Sequence, residues 1–262
     1  MASTAALRQV VPMPPSCVIP VPPPLRAVPL ATRECSQCSL LWSCMPQCSA
    51  DMGPQVDALV AQRLRVPKGD ALVFAGATFT ALFAIRSGSC KSVAITRAGQ
   101  EQVAGYHIAG DILGAEGIFT GHYDCTITAL EDSEFCIMPF DRVTALASES
   151  CVFQRSLSDL LSREIGRERK VMLMLGTMRA EQRLASFLLD LADRYRERGY
   201  SSSEFVLRLT REEIGCHLGL KLETVSRLFS RFHKDGLIHV QGREVKLLDR
   251  VALQRLVDAT LQ

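Results

Sequence analysis

The 262-residue chain has no stretch approaching the roughly 20 consecutive apolar residues that cross a bilayer. Its start lacks a charged segment followed by an apolar core and a small-residue cleavage site. Neither a membrane protein nor a secreted one is expected, and the composition, 47% hydrophobic and 22% charged, is that of a soluble protein of the cytoplasm. Also missing are paired carboxylates, a nucleophile beside its base and a phosphate loop at usable spacing, so no enzyme is expected. Net charge is small, +2, but unevenly spread. Residues 1–34 carry three basic and one acidic side chain (+2), residues 35–150 seven and twelve (−5), and residues 151–262 twenty and fifteen (+5). A basic last part beside an acidic middle suits contact with a polyanion, although a solvated basic face gives the same count.

What is present falls into segments. Eight of the twelve prolines lie in residues 1–34, which predicts an extended, disordered arm. Short β-rich runs follow (Ala71 to Phe74, Leu82 to Ile85, Ser92 to Thr96, Gln102 to Ile108, Thr126 to Leu130, Phe135 to Met138). Turns at Gly76, Gly88, Gly99, Gly110 and Gly121 separate them, the signature of an antiparallel barrel or jelly roll. From Ser156 to Arg179 no proline interrupts a helical pattern. There Leu161, Ile165, Glu168, Met172, Leu175 and Arg179 step by four and three, the spacing of a coiled-coil seam. This predicts a long helix that pairs with its own copy. A two-fold axis would bring Glu168 near its mate, where like charges oppose association. The alternative is a flank residue bound to Arg167 or Arg169 and facing water.

After a second amphipathic helix, Glu181 to Arg198, the segment Thr210–Phe232 holds the most informative pattern. Thr210 and Glu213 make a capping box. Ile214 and Leu218 give a first short helix an apolar face, Gly219 allows a tight turn, and Val225, Leu228 and Phe232 form the inward stripe of a second helix. Glu223, Ser226 and Arg227 are left facing outward, side chains suited to base edges in the major groove of double-stranded DNA. Lys221, Arg231 and Lys234 would hold phosphates. Two β-like runs, Ile238 to Gln241 and Glu244 to Leu248, flank Gly242 and Arg243 as a wing. The expected fold is α+β: an N-terminal antiparallel β-roll in 35–150, a dimerisation helix in 151–180 and a winged helix-turn-helix in 181–262.

Ten cysteines in a large chain without an export signal point to metal binding or redox chemistry rather than disulfides. Cys35, Cys38 and Cys44 form a C-x2-C-x5-C group, with Cys48 four residues on. Zinc and iron-sulfur clusters both require a fourth ligand, from Cys48 nearby or from Cys125 or Cys136 at a distance. Spacing favours iron-sulfur modestly, because zinc sites usually present two short knuckles. Cys90, Cys151 and Cys216 read as inert thiols.

This cysteine spacing, with Ala84-Ile-Arg-Ser-Gly88, Gly105-Tyr-His-Ile-Ala-Gly-Asp111 and Leu222-Glu-Thr-Val-Ser-Arg227, resembles the oxygen-sensing FNR branch of the cyclic AMP receptor protein superfamily from about Cys35 to Leu253. The resemblance implies a transcription regulator with an oxygen-labile 4Fe-4S cluster on four cysteines. Cys35, Cys38 and Cys44 match the family triplet, and Cys136, in Phe135-Cys-Ile-Met-Pro-Phe140, matches the fourth position ahead of Cys125. It also implies an acidic switch at Glu168 with an apolar contact at Ile165, and a palindromic operator of the type TTGAT, four bases, ATCAA, read by Glu223, Ser226 and Arg227. The β-hairpin of Thr96 to Glu101 would touch RNA polymerase, although Arg97-Ala-Gly-Gln100 departs from the usual acidic loop. A cyclic nucleotide is not expected: Gly114-Ala-Glu-Gly117 is followed by His122-Tyr-Asp-Cys125 with no Arg or Lys, and Asp124 would repel a phosphate. His107 or His122 as a heme ligand and a zinc-stabilised regulator without oxygen sensing are the competing readings.

Overall fold

The structure is a computed structural model that describes residues 27–28, 35, 38–45, 48, 52–96 and 99–259. The proline-rich arm lies outside the described residues except for Ala27–Val28, an edge strand (β1) paired with β2, Gln62–Val66. Two antiparallel sheets then face each other. One is ordered β1, β2, β9 (Ser133–Pro139), β4 (Ala81–Ser87), β7 (Ile112–Leu113). The other is ordered β3 (Ala71–Val73), β8 (Thr126–Ala129), β5 (Ser89–Ile95), β6 (Glu101–Ile108). All five expected turn glycines adopt positive φ.

Side-chain alternation decides which residues each face receives. On β4 and β9, Phe83, Ile85 and Phe135 enter the space between the sheets with Leu64, Cys90 and Ile127. Their neighbours Leu82, Ala84, Cys136 and Met138 point to the opposite face. That face is covered by helices: α1 (Leu41–Cys44), α2 (Gly53–Leu59), α4 (Phe140–Glu149) and the start of α5 (Cys151–Thr177). Burial on both faces explains the nearly unbroken apolar run of β4. A further short helix, α3, spans Gly117–Thr120.

The long helix starts earlier than its seam suggested, because Ser150 caps it by accepting the Phe153 amide. At 27 residues it is about 40 Å long. Helix α6 (Ala180–Glu197) follows, then β10 (Glu204–Val206), α7 (Arg211–Leu218), α8 (Leu222–Lys234), the wing β11 (Ile238–Gln241) and β12 (Glu244–Leu247), and α9 (Arg250–Asp258). β10 adds a third strand to the wing, pairing with β12. Among the described residues no helix is long and apolar enough to cross a membrane.

Candidate functional site

Cys35, Cys38, Cys44 and Cys136 line one pocket of about 40 Å³, walled by Leu41 and Met138. The first three arrive on a segment folded by tight turns: the Cys38 amide bonds the Cys35 carbonyl at 2.9 Å, and the Leu41 amide bonds the Cys38 carbonyl at 3.1 Å. Leu41 and Met45 are buried against the β-roll, and the Cys35 amide donates to the Asp57 carboxylate of α2. Cys136 enters from β9 because its neighbour Phe135 takes the opposite face. Its cross-strand neighbours are Arg63 on β2 and Ala84 on β4, and Arg86 also borders the pocket.

The chemistry of this donor set is uniform: four thiols in apolar surroundings. Burial, with the charge of Cys136, Asp57 and Cys38, pushes the Cys35 thiol up to about 12. Burial and the other three cysteines also raise Cys44. Burial raises Cys136, with Arg63 and Arg86 pulling the other way. Such thiols keep their protons unless a metal replaces them. Four thiolates on one zinc ion would sit about 3.8 Å apart, from Zn–S bonds of about 2.3 Å in a tetrahedron. Among the described residues, no three His, Cys, Asp or Glu side chains are gathered to hold a single metal ion. Thiolates are the ligands of zinc and of iron-sulfur clusters alike, so the donor set fits either.

The other cysteine candidates lie elsewhere. Cys48 is fully buried and hydrogen-bonds Ser156 of α5. Cys125 lines a separate cavity of about 550 Å³ with Glu116, Asp124, Glu164 and Glu168. Among the described residues no lysine or arginine lines that cavity, and its carboxylates would repel a phosphate. Of the two histidines considered as heme ligands, His107 is half-buried with Nε2 3.0 Å from Ser92 Oγ, while His122 is exposed and faces the Thr120 carbonyl.

On α5, Ile165 and Met172 are exposed, at 59% and 66%, and Glu168 is exposed between them, leaving an apolar stripe open on this single chain. Arg167, one of the expected partners of Glu168, turns instead to Asp111 and Glu164, each at 3.2 Å.

The helix-turn-helix follows its sequence signals closely. The Glu213 amide donates to Thr210 Oγ1 at 3.1 Å, and the Thr210 amide donates to the Glu213 carboxylate at 2.7 Å. Gly219 takes φ 63°, a left-handed conformation that turns the chain into α8. Val225, Leu228 and Phe232 are buried, while Lys221, Glu223, Ser226 and Arg227 are exposed along the other face. Arg231 is exposed on the same helix, where its guanidinium meets Glu181 of α6. The hairpin between β5 and β6 closes through Thr96, Gly99 and Gln100, while Arg97 and Ala98 lie outside the described residues.

Sequence reasoning missed two positioning groups. Arg183 bonds the carbonyls of Leu175 (2.8 Å), Met178 (2.9 Å) and Leu218 (2.9 Å), fixing the break between α5 and α6 to the end of α7. Asp111, in the turn between β6 and β7, is buried among Arg167, Arg194 and Arg198. Burial alone would raise its pKa, but Arg194, Arg167 and Arg198 outweigh it and hold the carboxyl well below the usual carboxylate range. The four-residue spacing of Arg194 and Arg198, which puts both on one face of α6, was the available signal.

Two family models match the chain: a cyclic nucleotide-binding domain over residues 63–150 and a Crp-like helix-turn-helix domain over residues 182–256. The transcriptional regulatory protein btr of Bordetella pertussis is 42% identical over 88% of this chain and 97% of its own length. The transcriptional activator protein anr of Pseudomonas aeruginosa is 38% identical over 91% of this chain and 97% of its own. The fumarate and nitrate reduction regulatory protein of Escherichia coli is 37% identical over 87% and 91%. Among solved structures, FixK2 from Bradyrhizobium japonicum superposes with a TM-score of 0.70 at 26% identity, covering 78% of this chain and all of that one. With the β-roll, long helix and winged helix-turn-helix all in place, the chain belongs to the CRP/FNR family of DNA-binding transcription regulators and is not an enzyme.

Proposed function

We propose that this protein is a cytoplasmic oxygen-responsive transcription regulator, holding a 4Fe-4S cluster on Cys35, Cys38, Cys44 and Cys136 and acting as a homodimer on palindromic DNA. The observation that carries the reading is the meeting of four thiols, three from the N-terminal segment and one from β9, in a single pocket. When bound, the cluster supplies sensitivity to oxygen, which destroys it and so reports its presence. The protein's own residues do the rest. Cys35, Cys38 and Cys44 seat α1 on the β-roll when tied to Cys136, beside the strand face that also packs on α5. The open stripe of Ile165 and Met172 is the surface a second copy covers, and Glu168 opposes that contact until α5 shifts to accommodate it.

Two α8 helices related by a two-fold axis then enter successive major grooves about 34 Å apart, so a monomer, holding one half-site, loses most of the affinity. Glu223, Ser226 and Arg227 read bases and Lys221 holds phosphate. RNA polymerase is the partner assigned to the β5–β6 hairpin. No cyclic nucleotide takes part, in keeping with the carboxylates of the β-roll cavity. The test is a visible spectrum with iron and sulfide analysis on protein purified without oxygen, repeated after admitting air. A broad brown absorption that bleaches in air supports the reading. A colourless protein containing zinc would leave DNA binding intact and remove the oxygen sensor.

A further inference from the structure

We propose that Asp111 is a latch that holds the DNA-binding unit against the β-roll and is set by how the cysteine segment is seated. Three arginines from two helices converge on this one carboxylate. Arg167 comes from α5 (3.2 Å to Oδ1), Arg198 from α6 (2.5 Å to Oδ1), and Arg194, also from α6, binds Oδ2. The carboxylate is itself fixed to the β-roll, because Oδ2 accepts the Ile108 amide at 2.9 Å and the Asp111 carbonyl accepts the Ile85 amide at 3.0 Å. Arg198 adds a bond from Nε to the Ala109 carbonyl at 2.6 Å. Sensor, long helix and DNA-binding unit therefore share one buried charge.

The cysteine segment touches the same turn from outside. Gly110 has φ 92°, and a Cβ placed there would lie 2.8 Å from Ser43 Cβ and 3.1 Å from Arg198 Nε. Ser43 sits in α1, directly before Cys44, so α1 and Arg198 close on the same glycine. Ser43 also walls a small cavity with Asp111, Leu160 and Arg167. Withdrawal of α1 would open that side of the turn to water, and ion pairs strong in a dry setting weaken severalfold in a wet one. The remaining charges are provided for at the rim, Arg167 by Glu164 at 3.2 Å and Arg194 by Asp190 at 3.9 Å. The latch stands on this geometry alone, whereas its control by the cysteine segment rests on the cluster reading above.

Two variants of the full chain test it, Asp111→Asn and Arg167→Met. The second leaves Arg194 and Arg198 on Asp111 and keeps the test open should the first not fold. Hydrogen exchange on protein kept without oxygen reads the latch: amides of residues 190–198 and 108–113 should exchange about tenfold faster in a folded variant than in the wild type. Operator affinity with and without oxygen reads its control. The wild-type ratio should lie in the range of about 5- to 150-fold common for allosteric coupling and fall to within about twofold in Asp111→Asn. Unchanged exchange in both variants would overturn the latch. Faster exchange with the wild-type affinity ratio retained would overturn its control. A wild-type ratio of one would refute the cluster reading and the control together, with the exchange result still deciding the latch.

Discussion

Acidification gives the sharpest test of how the β-roll meets the helices, because half-buried His107 titrates far below its ordinary value and a variant isolates its effect. His107 on β6 lies beside the Asp111 turn, and burial lowers its pKa from 6.5 to about 4, with Arg194 and Arg167 acting in the same direction and Asp111 against them. In the unfolded chain this imidazole takes up a proton as pH falls through 6.5, but in the folded chain only near 4. Between those values the unfolded state holds more protons, so stability falls as pH falls and levels off below about 4. The full shift corresponds to about 3 kcal/mol, of which about 2 kcal/mol is lost between pH 7 and pH 5. Asp111, whose folded pKa is depressed, contributes in full above its ordinary 3.8 and loses that contribution only below it, outside this window. His217, also lowered by burial, and Glu164, raised by burial, titrate alike in wild type and in a His107→Gln variant and cancel in the comparison. The assay is urea unfolding of air-exposed protein followed by circular dichroism at pH 7 and pH 5. The wild type should lose about 2 kcal/mol more than His107→Gln on going to pH 5. Equal losses in the two proteins would refute the assignment of a neutral imidazole at this position.

Three further outcomes are expected. Cys136→Ser should abolish the visible absorption of protein purified without oxygen, while Cys125→Ser, in a separate cavity, should leave it within a few per cent of wild type; spectra with iron analysis decide this. Glu168→Ala should raise operator binding in air by removing charge from the exposed seam, and Ile165→Asp should lower it without oxygen, both measured by gel shift and sedimentation. Arg227→Ala should cost about 1–3 kcal/mol at one operator base pair and relax discrimination there, whereas Lys221→Ala should weaken all sequences alike and reduce the salt slope by about 1.

The helix-turn-helix was legible because its signals are local. A capping box spans four residues, a left-handed turn needs one glycine, and the Val225, Leu228, Phe232 stripe repeats within two turns. The strands were legible from short apolar runs and glycine turns, and the two-sided burial of β4 explains why its run does not alternate. Cys136 could be chosen over Cys125 only through the resemblance, since period-two alternation fixes a face without saying what covers it. The Asp111 cluster was not legible, because its arginines stand 56 to 87 residues away and the chain offers thirty Lys and Arg to choose among. The Arg231–Glu181 pair was illegible for a similar reason, since its partners stand fifty residues apart.

Arg167 and Glu168 illustrate how two functions come to depend on one helix. Adjacent residues on an α-helix point about 100° apart, since 3.6 residues make a turn. Arg167 therefore reaches inward to Asp111, while Glu168 stands exposed on the stripe with Ile165 and Met172. A rotation or slide of α5 that relieves Glu168 at a two-fold seam must also move Arg167 against a carboxylate that Arg194 and Arg198 of α6 share. Arg183 carries the same displacement onward, because it joins the last turn of α5 to the carbonyl that ends α7. In the proposed dimer, pairing of two chains and placement of the recognition helices would be two consequences of one movement, so substitutions at the seam and at Asp111 should be non-additive in operator affinity.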